Sequence, residues 1–159
     1  MSDVAVIPYR RELAADFRRP NLEWIERLFG VEATDLKVLD DPGRAIIEPG
    51  GMIFFARDGG LVMGTAAMIR VEVDRCELAK MAVETTHQRL GIGGLLGKAC
   101  MAWAAANGIR SVFLETNSRL DNAIRLYQRL GFRHAPFPHP SDYARADVYM
   151  EARIGQGRS

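Results

Sequence analysis

The stretch THQRLGIGGLLGK, residues 86–98, places four glycines in the seven positions 91–97 and follows them with Lys98. Glycine lets a backbone approach a ligand closely, and a loop that opens a helix aims N–H groups and a positive dipole end at an anion. A phosphate suits such a loop. The dinucleotide pattern GxGxxG requires glycine at 96 after Gly91 and Gly93, where the chain has Leu96. The nucleoside-triphosphate pattern GxxxxGK[ST] requires glycine at 92 and a hydroxyl at 99, where the chain has Ile92 and Ala99, so its magnesium ligand is missing. What the stretch does match is QxxGxG: Gln88, Arg89, Leu90, Gly91, Ile92 and Gly93, with Gly94 following.

Other reactive side chains offer less. His87 adjoins the loop, and His134 and His139 lie in HAPFPHP, none with metal-ligand spacing. Cys76 and Cys100 form no CxxC pair and sit among apolar residues, which argues against zinc or a disulfide framework and for a reducing compartment. No histidine or cluster of positive charge is placed to activate Cys76.

The glycine loop needs a strand before it and a helix after it, and the pattern supplies both. CELAKMAV reads as a strand. Ile92, Leu95, Leu96, Ala99, Trp103 and Ala106 then recur at helical spacing until Asn107-Gly108 provides a stop. Upstream, VAVIPY predicts a first strand. RELAADFRRPNLEWIERLF predicts two short helices, because Pro20 disfavours helical geometry at residue 19. MIFFA, the turn RDGG and LVMGTAAMIRVEV predict an antiparallel hairpin. Downstream, SVFLET suits a strand buried on both faces and DNAIRLYQRLGF a short helix ending at Gly131, before a proline-bearing loop and a last strand. The order β, αα, βββ, α, β, α, β predicts an α/β (α+β) fold, a mixed and mostly antiparallel sheet flanked by helices. With no repeat or long linker, residues 1–159 read as one domain. Trp24, Phe29, Phe54, Phe55 and Trp103 read mostly as core, with Trp24 also placed to line an acceptor pocket.

Four of these segments, in order from residue 77 to 132, resemble the GCN5-related N-acetyltransferases, the GNAT family: ELAKMAV, the QxxGxG loop, FLETN and AIRLYQRLGF. The N-terminal half is similar only in its order of elements. The resemblance implies that Gln88, Arg89, Leu90, Gly91, Ile92, Gly93 and Gly94 wrap the pyrophosphate of acetyl-coenzyme A. It also implies that main-chain N–H groups of Met81, Ala82 and Val83 support the thioester carbonyl as it becomes an oxyanion. Many relatives place a cofactor-touching asparagine three residues before the alanine of AI. Here that place is Leu120, with Asn117 and Asn122 nearby as substitutes.

A primary amine has a pKa of about 10 and must lose a proton before it attacks a thioester. The resemblance offers two carboxylates as the base, Glu77 and Glu115, and Tyr127 as the acid that protonates the departing thiolate. The implied activity is acetyl-CoA-dependent transfer to a primary amine of a small molecule or peptide by direct attack on the thioester, with no metal. The alternatives are another acyl group, a hydroxyl acceptor, or a non-catalytic module that senses acyl-CoA.

Composition bounds the partners. The chain is 48% hydrophobic and 26% charged with a net charge of +1, which gives no electrostatic reason to expect nucleic acid or a membrane. MSDVAVIPYRREL lacks a signal-peptide pattern, and Lys98 interrupts the longest apolar stretch before membrane length. The expected location is the cytoplasm and the expected partners are acetyl-CoA and an amine, with a homodimer left open.

Overall fold

The computed structural model describes residues 4–84 and 91–155. Strand β1 (Val4–Pro8) leads through a 3₁₀ turn (Arg11–Leu13) into helices α1 (Ala14–Leu28) and α2 (Ala33–Leu39) and a π-helical turn (Gly43–Ile47). Strands β2 (Met52–Asp58), β3 (Leu61–Glu72) and β4 (Arg75–Val83) follow as an antiparallel meander. Helix α3 (Ile92–Ala106), strand β5 (Ser111–Thr116), helix α4 (Asp121–Arg129) and strands β6 (Arg133–Ala135) and β7 (Val148–Arg153) complete the order. The strands form one mixed sheet, β1-β2-β3-β4-β5-β7-β6, in which only the β4–β5 pair is parallel. The predicted fold class is the observed one; α2, β6, the 3₁₀ turn and the π-helical turn are additions to the predicted order.

The two short helices expected around Pro20 are instead one continuous helix. Proline in a helix interior costs about 3 kcal/mol, whereas burying one large apolar side chain returns about 1.5–3 kcal/mol. An unbroken helix puts Phe17, Asn21 and Ile25 on one stripe at spacing four, all fully buried. Asn21 Nδ2 also donates to the Phe17 carbonyl at 2.9 Å, supplying an acceptor beside the proline ring with a donor. The break comes at Gly30, whose φ of +92° lets the chain reverse while its N–H still bonds the Ile25 carbonyl at 2.8 Å.

The sheet carries a core on each face. Phe17, Ile25, Leu39 and Ile46 cover one face through Ile53, Phe55 and Ala67. Ile92, Leu96, Cys100 and Ala104 of α3 cover the other through Met68, Cys76, Leu78 and Leu114, and Ile124, Tyr127 and Leu130 of α4 pack against that core. Trp103 and Phe54 join its edge, as expected of core aromatics.

The sheet is interrupted where it matters for function. β4 pairs with β5 only from Arg75↔Ser111 to Glu77↔Phe113, and β4 then runs on to Val83 without pairing to β5. The β3–β4 register also slips by one residue between Thr65↔Ala82 and Ala67↔Ala79, marking a bulge on β4. Lys80 sits in that bulge with φ +55°, a costly conformation for a residue bearing a Cβ. Simple alternation from Cys76 and Leu78 would aim Lys80 at the α3 face. The bulge turns it toward α2 and lets Met81 and Val83 pack on the α3 side instead.

Candidate active site

An open cleft of about 1650 Å³ runs through the gap between β4 and β5. Because the gap joins the two faces of the sheet, groups from α1 on one side and from α3 and α4 on the other meet in one space.

On the α3 side, Gly91 caps the helix with φ +74°, which glycine adopts at no steric cost. The first helical bond runs from the Leu95 N–H to the Gly91 carbonyl at 3.1 Å, so the N–H groups of Ile92, Gly93 and Gly94 have no acceptor within the helix. Gly91, Gly93 and Gly94 line the cleft beside Met81, Ala82 and Val83. Ile92 differs: the residue is fully buried, with its side chain in the core. Gln88, Arg89 and Leu90, and His87 with them, lie outside the described residues. Gly93 and Gly94, lining the cleft at the start of a fifteen-residue helix with no acidic residue in its first turn, make a cradle suited to a pyrophosphate.

Tyr127 reaches the cleft from α4, its ring edge-on to Phe132 at 6.1 Å. Burial pushes its pKa up to about 12, so it is a phenol at any physiological pH. Leu120 is the N-cap of α4 and a wall of the cleft. The neighbouring asparagines differ. Asn117 Nδ2 donates to the Arg145 carbonyl at 2.7 Å and its Oδ1 accepts from the Arg119 N–H at 2.8 Å, so both ends of its amide already hold the loop. Asn122 is exposed on α4 and accepts only a long bond from Arg125, 3.4 Å.

Glu77 and Glu115 flank the point where the strands separate. Burial, and then the negative charge of Glu115, push the pKa of Glu77 up to about 7, with Asp142 adding to the effect and Lys80 and Arg75 opposing it. A carboxylate that titrates near neutrality can take up a proton and release it again at working pH. Glu115 accepts a hydrogen bond from Ser141 Oγ at 2.5 Å, which ties it to the loop before β7.

A buried ionic network, little foreshadowed by local patterns, joins Lys80, Asp35, Arg145 and Tyr143. Lys80 Nζ donates to Asp35 Oδ1 at 2.7 Å and to Tyr143 Oη at 3.1 Å. Arg145 donates to both oxygens of Asp35, at 2.6 and 2.9 Å, and faces Glu32 at 3.5 Å. Asp35 also accepts from the Glu32 N–H at 2.9 Å, capping α2. Burial alone would raise the Asp35 carboxyl, but the bonds from Arg145 and Lys80 outweigh it and hold it well below the ordinary carboxylate range. Burial presses the Lys80 ammonium down from its usual value, with Asp35 pulling the other way. The network fastens the β4 bulge, α2 and the loop before β7 together under the cleft. One signal was available: a lysine inside an otherwise apolar strand, ELAKMAV, needs a buried partner.

Trp24 lines the cleft as proposed from the sequence, its Nε1 donating to Asn21 Oδ1 at 3.1 Å and its ring edge-on to Phe29. Cys76 and Cys100 are buried; burial pushes the Cys76 thiol up to about 11 and raises Cys100 as well, so neither is a ready nucleophile. No cluster of three metal-ligating side chains occurs among the described residues, and no helix among them is long and apolar enough to cross a membrane.

The sequence profile of the acetyltransferase (GNAT) family matches residues 13–132, which spans α1, the split sheet, the glycine-started helix and the tyrosine helix. The chain belongs to the GNAT family. Among its relatives, an N-acetyltransferase of Schizosaccharomyces pombe, C1271.07c, is 30% identical over 135 residues, covering 78% of this chain and 82% of that protein. YjgM, an N-acetyltransferase of Escherichia coli, is 31% identical over 102 residues, 62% of this chain and 61% of YjgM. Human N-acetylaspartate synthetase is 32% identical over 90 residues, 55% of this chain but 30% of that protein. This GNAT chain therefore matches less than two thirds of the length of several curated relatives. The GNAT-family acetyltransferase of Staphylococcus aureus Mu50 has the same fold, with a TM-score of 0.83 at 20% identity over 95% of this chain and 99% of that one. The acetyltransferase yncA of Salmonella typhimurium, solved with its cofactor acetyl-CoA, gives 0.75 at 16% identity, covering 99% and 98%.

Proposed function

We propose that this GNAT chain transfers the acetyl group of acetyl-CoA to a primary amine, by direct attack of the amine on the thioester. One observation carries the reading: the gap between β4 and β5 brings the helix-start donors and Tyr127 from one face of the sheet into a single cleft with Glu77 and Glu115 from the other. Family membership and the relatives named as N-acetyltransferases support the choice of an amine.

The bound acetyl-CoA supplies an activated acetyl thioester, and the chain's residues do the rest. The N–H groups of Gly93 and Gly94 hold the pyrophosphate. Main-chain N–H groups along Met81–Val83 donate to the thioester carbonyl, at the edge that β4 keeps clear of β5. Glu77, half ionised near pH 7, takes the proton of the incoming ammonium directly or through water, and Glu115 helps retain the positively charged acceptor. Tyr127 gives its proton to the departing sulfur. A phenol at about 12 serves this role because the enclosed thiolate is destabilised by the same loss of water, as the rise of the Cys76 thiol illustrates.

Free-thiol release from acetyl-CoA, screened over primary amines and matched alcohols, tests the reading. Turnover with amines is expected. Turnover with alcohols alone would overturn the amine assignment, and binding of acetyl-CoA without any turnover would leave a sensing module.

A further inference from the structure

Helices α3 and α4 meet along a seam of glycines. A Cβ at Gly93 would come within 3.0 Å of Leu126, and one at Gly97 would collide with Leu130. Gly93 is therefore level with Leu126 and Gly97 with Leu130, so the two helices advance in step. That register places the residues next to the seam. Lys98 follows Gly97 on α3, and Arg129 precedes Leu130 on α4, which sets both cations at one level on opposite sides of the seam. Both are exposed and both line the cleft.

Neither cation has a carboxylate within ion-pair distance among the described residues. The cleft lining drawn from these two helices holds one acidic residue, Asp121, at the start of α4 and two turns before Arg129. On α3 the cleft-lining residues Gly91, Gly94, Leu95 and Lys98 recur at helical spacing and so share a face. Lys98 stands four residues beyond Gly94, about 6 Å further along the axis, a step that one ribose spans. Between them Leu95 offers an apolar surface, 41% exposed for a large hydrophobic side chain.

Building on the acetyl-CoA reading above, we propose that Lys98 and Arg129 form a second phosphate site, which takes the 3′-phosphate of the coenzyme's ribose. The pyrophosphate then lies at Gly93 and Gly94, the ribose crosses Leu95, and the phosphate monoester accepts charge-assisted bonds from the ammonium and the guanidinium. Lys98 and Arg129 are specificity-determining residues for the donor, and they take no part in the transfer itself.

Titration calorimetry of the full chain with coenzyme A and with 3′-dephospho-coenzyme A tests this. The proteins compared are the wild type, Lys98→Gln, Arg129→Gln, the double variant, and Arg11→Gln as a control for overall charge. Arg11 is exposed and lies outside the cleft lining. Glutamine keeps the helix propensity of the residues it replaces, so the variants should fold. The wild type is expected to prefer coenzyme A about tenfold or more. Each single variant should lose part of that preference. The double variant should bind both ligands alike, through weaker binding of coenzyme A with 3′-dephospho-coenzyme A unchanged, while Arg11→Gln keeps the preference. In thiol release, the double variant should show a raised KM for acetyl-CoA with kcat retained. A wild type without preference, equal losses on both ligands in the double variant, or the same loss of preference in Arg11→Gln would overturn the proposal. A wild type that binds neither ligand would instead overturn the acetyl-CoA reading on which it rests.

Discussion

Replacing Glu115 by glutamine should move the acid limb of the pH–rate profile of a different residue. Glu77 titrates at about 7 instead of 4.5, and after burial the largest contribution is the charge of Glu115. With a midpoint at about 7, Glu77 is about 9% ionised at pH 6 and about 91% at pH 8, so the rate should climb roughly tenfold across that interval. A carboxylate left at its ordinary value would give a flat profile there. In Glu115→Gln the repulsion is gone, Glu77 ionises more easily, and the limb shifts to lower pH. In Glu77→Gln the levelling above pH 7 is lost: the neutral rate falls by about 10²–10⁴ and keeps climbing toward high pH, where the amine deprotonates unaided. The assay is thiol release from about pH 5.5 to about pH 9 at fixed ionic strength, with acetyl-CoA saturating. A profile that still levels off near pH 7 in Glu77→Gln, or a limb that stays in place or moves upward in Glu115→Gln, would refute the assignment of the base.

Tyr127→Phe keeps the ring packed on Phe132 and removes the proton, so turnover should drop about 10²-fold with acetyl-CoA affinity little changed, as read from kcat and a binding titration. Gly94→Glu meets nothing nearer than Leu126 at 4.0 Å and favours the helix start, whereas a Cβ at Gly93 would come within 3.0 Å of Leu126; the Gly94 variant should therefore fold. At about 100 times its dissociation constant acetyl-CoA should stabilise the wild type by about 2.7 kcal/mol, and the glutamate should abolish that stabilisation in a thermal melt. Asp35→Ala strands Lys80 and Arg145 in the interior and should cost about 3–5 kcal/mol in denaturant unfolding. Because the folded Asp35 ionises well below its unfolded value, its contribution is complete above the ordinary carboxylate range and fades as pH falls below it; Asp35→Asn should lack that acid dependence.

The elements that carry the proposed cofactor residues were legible because their signals are local. Gly91, Gly93 and Gly94 sit in one turn, Tyr127 lies on one short helix, and the strands on either side are continuous apolar runs, so contiguous residues declare both element and placement. The acceptor half was not, because its contacts are long-range. Asp35 meets Lys80 across 45 positions and Arg145 across 110, and no pattern around DLKVL marks an aspartate as the centre of a buried network. Asn117, proposed to reach the cofactor, lines the cleft and is also engaged by Arg145 and Arg119, contacts visible only once the loop before β7 is in place. Pro20 misled for a related reason: local backbone preference pointed to a break, and the burial of Phe17, Asn21 and Ile25 overrode it.

On the proposed function, one cleft joins an acetyl-CoA cradle to an amine acceptor across the split in the sheet, with no covalent acetyl-enzyme between them. The chain's two cysteines are buried with raised thiol pKa values, which favours direct transfer. Incubation with isotope-labelled acetyl-CoA, with and without an amine acceptor, followed by mass spectrometry of both protein and small molecules, measures it. Label is expected in an amide of the acceptor, with an unmodified protein when the acceptor is omitted. Stoichiometric label on the protein that chases into product, or label released only as acetate, would contradict it.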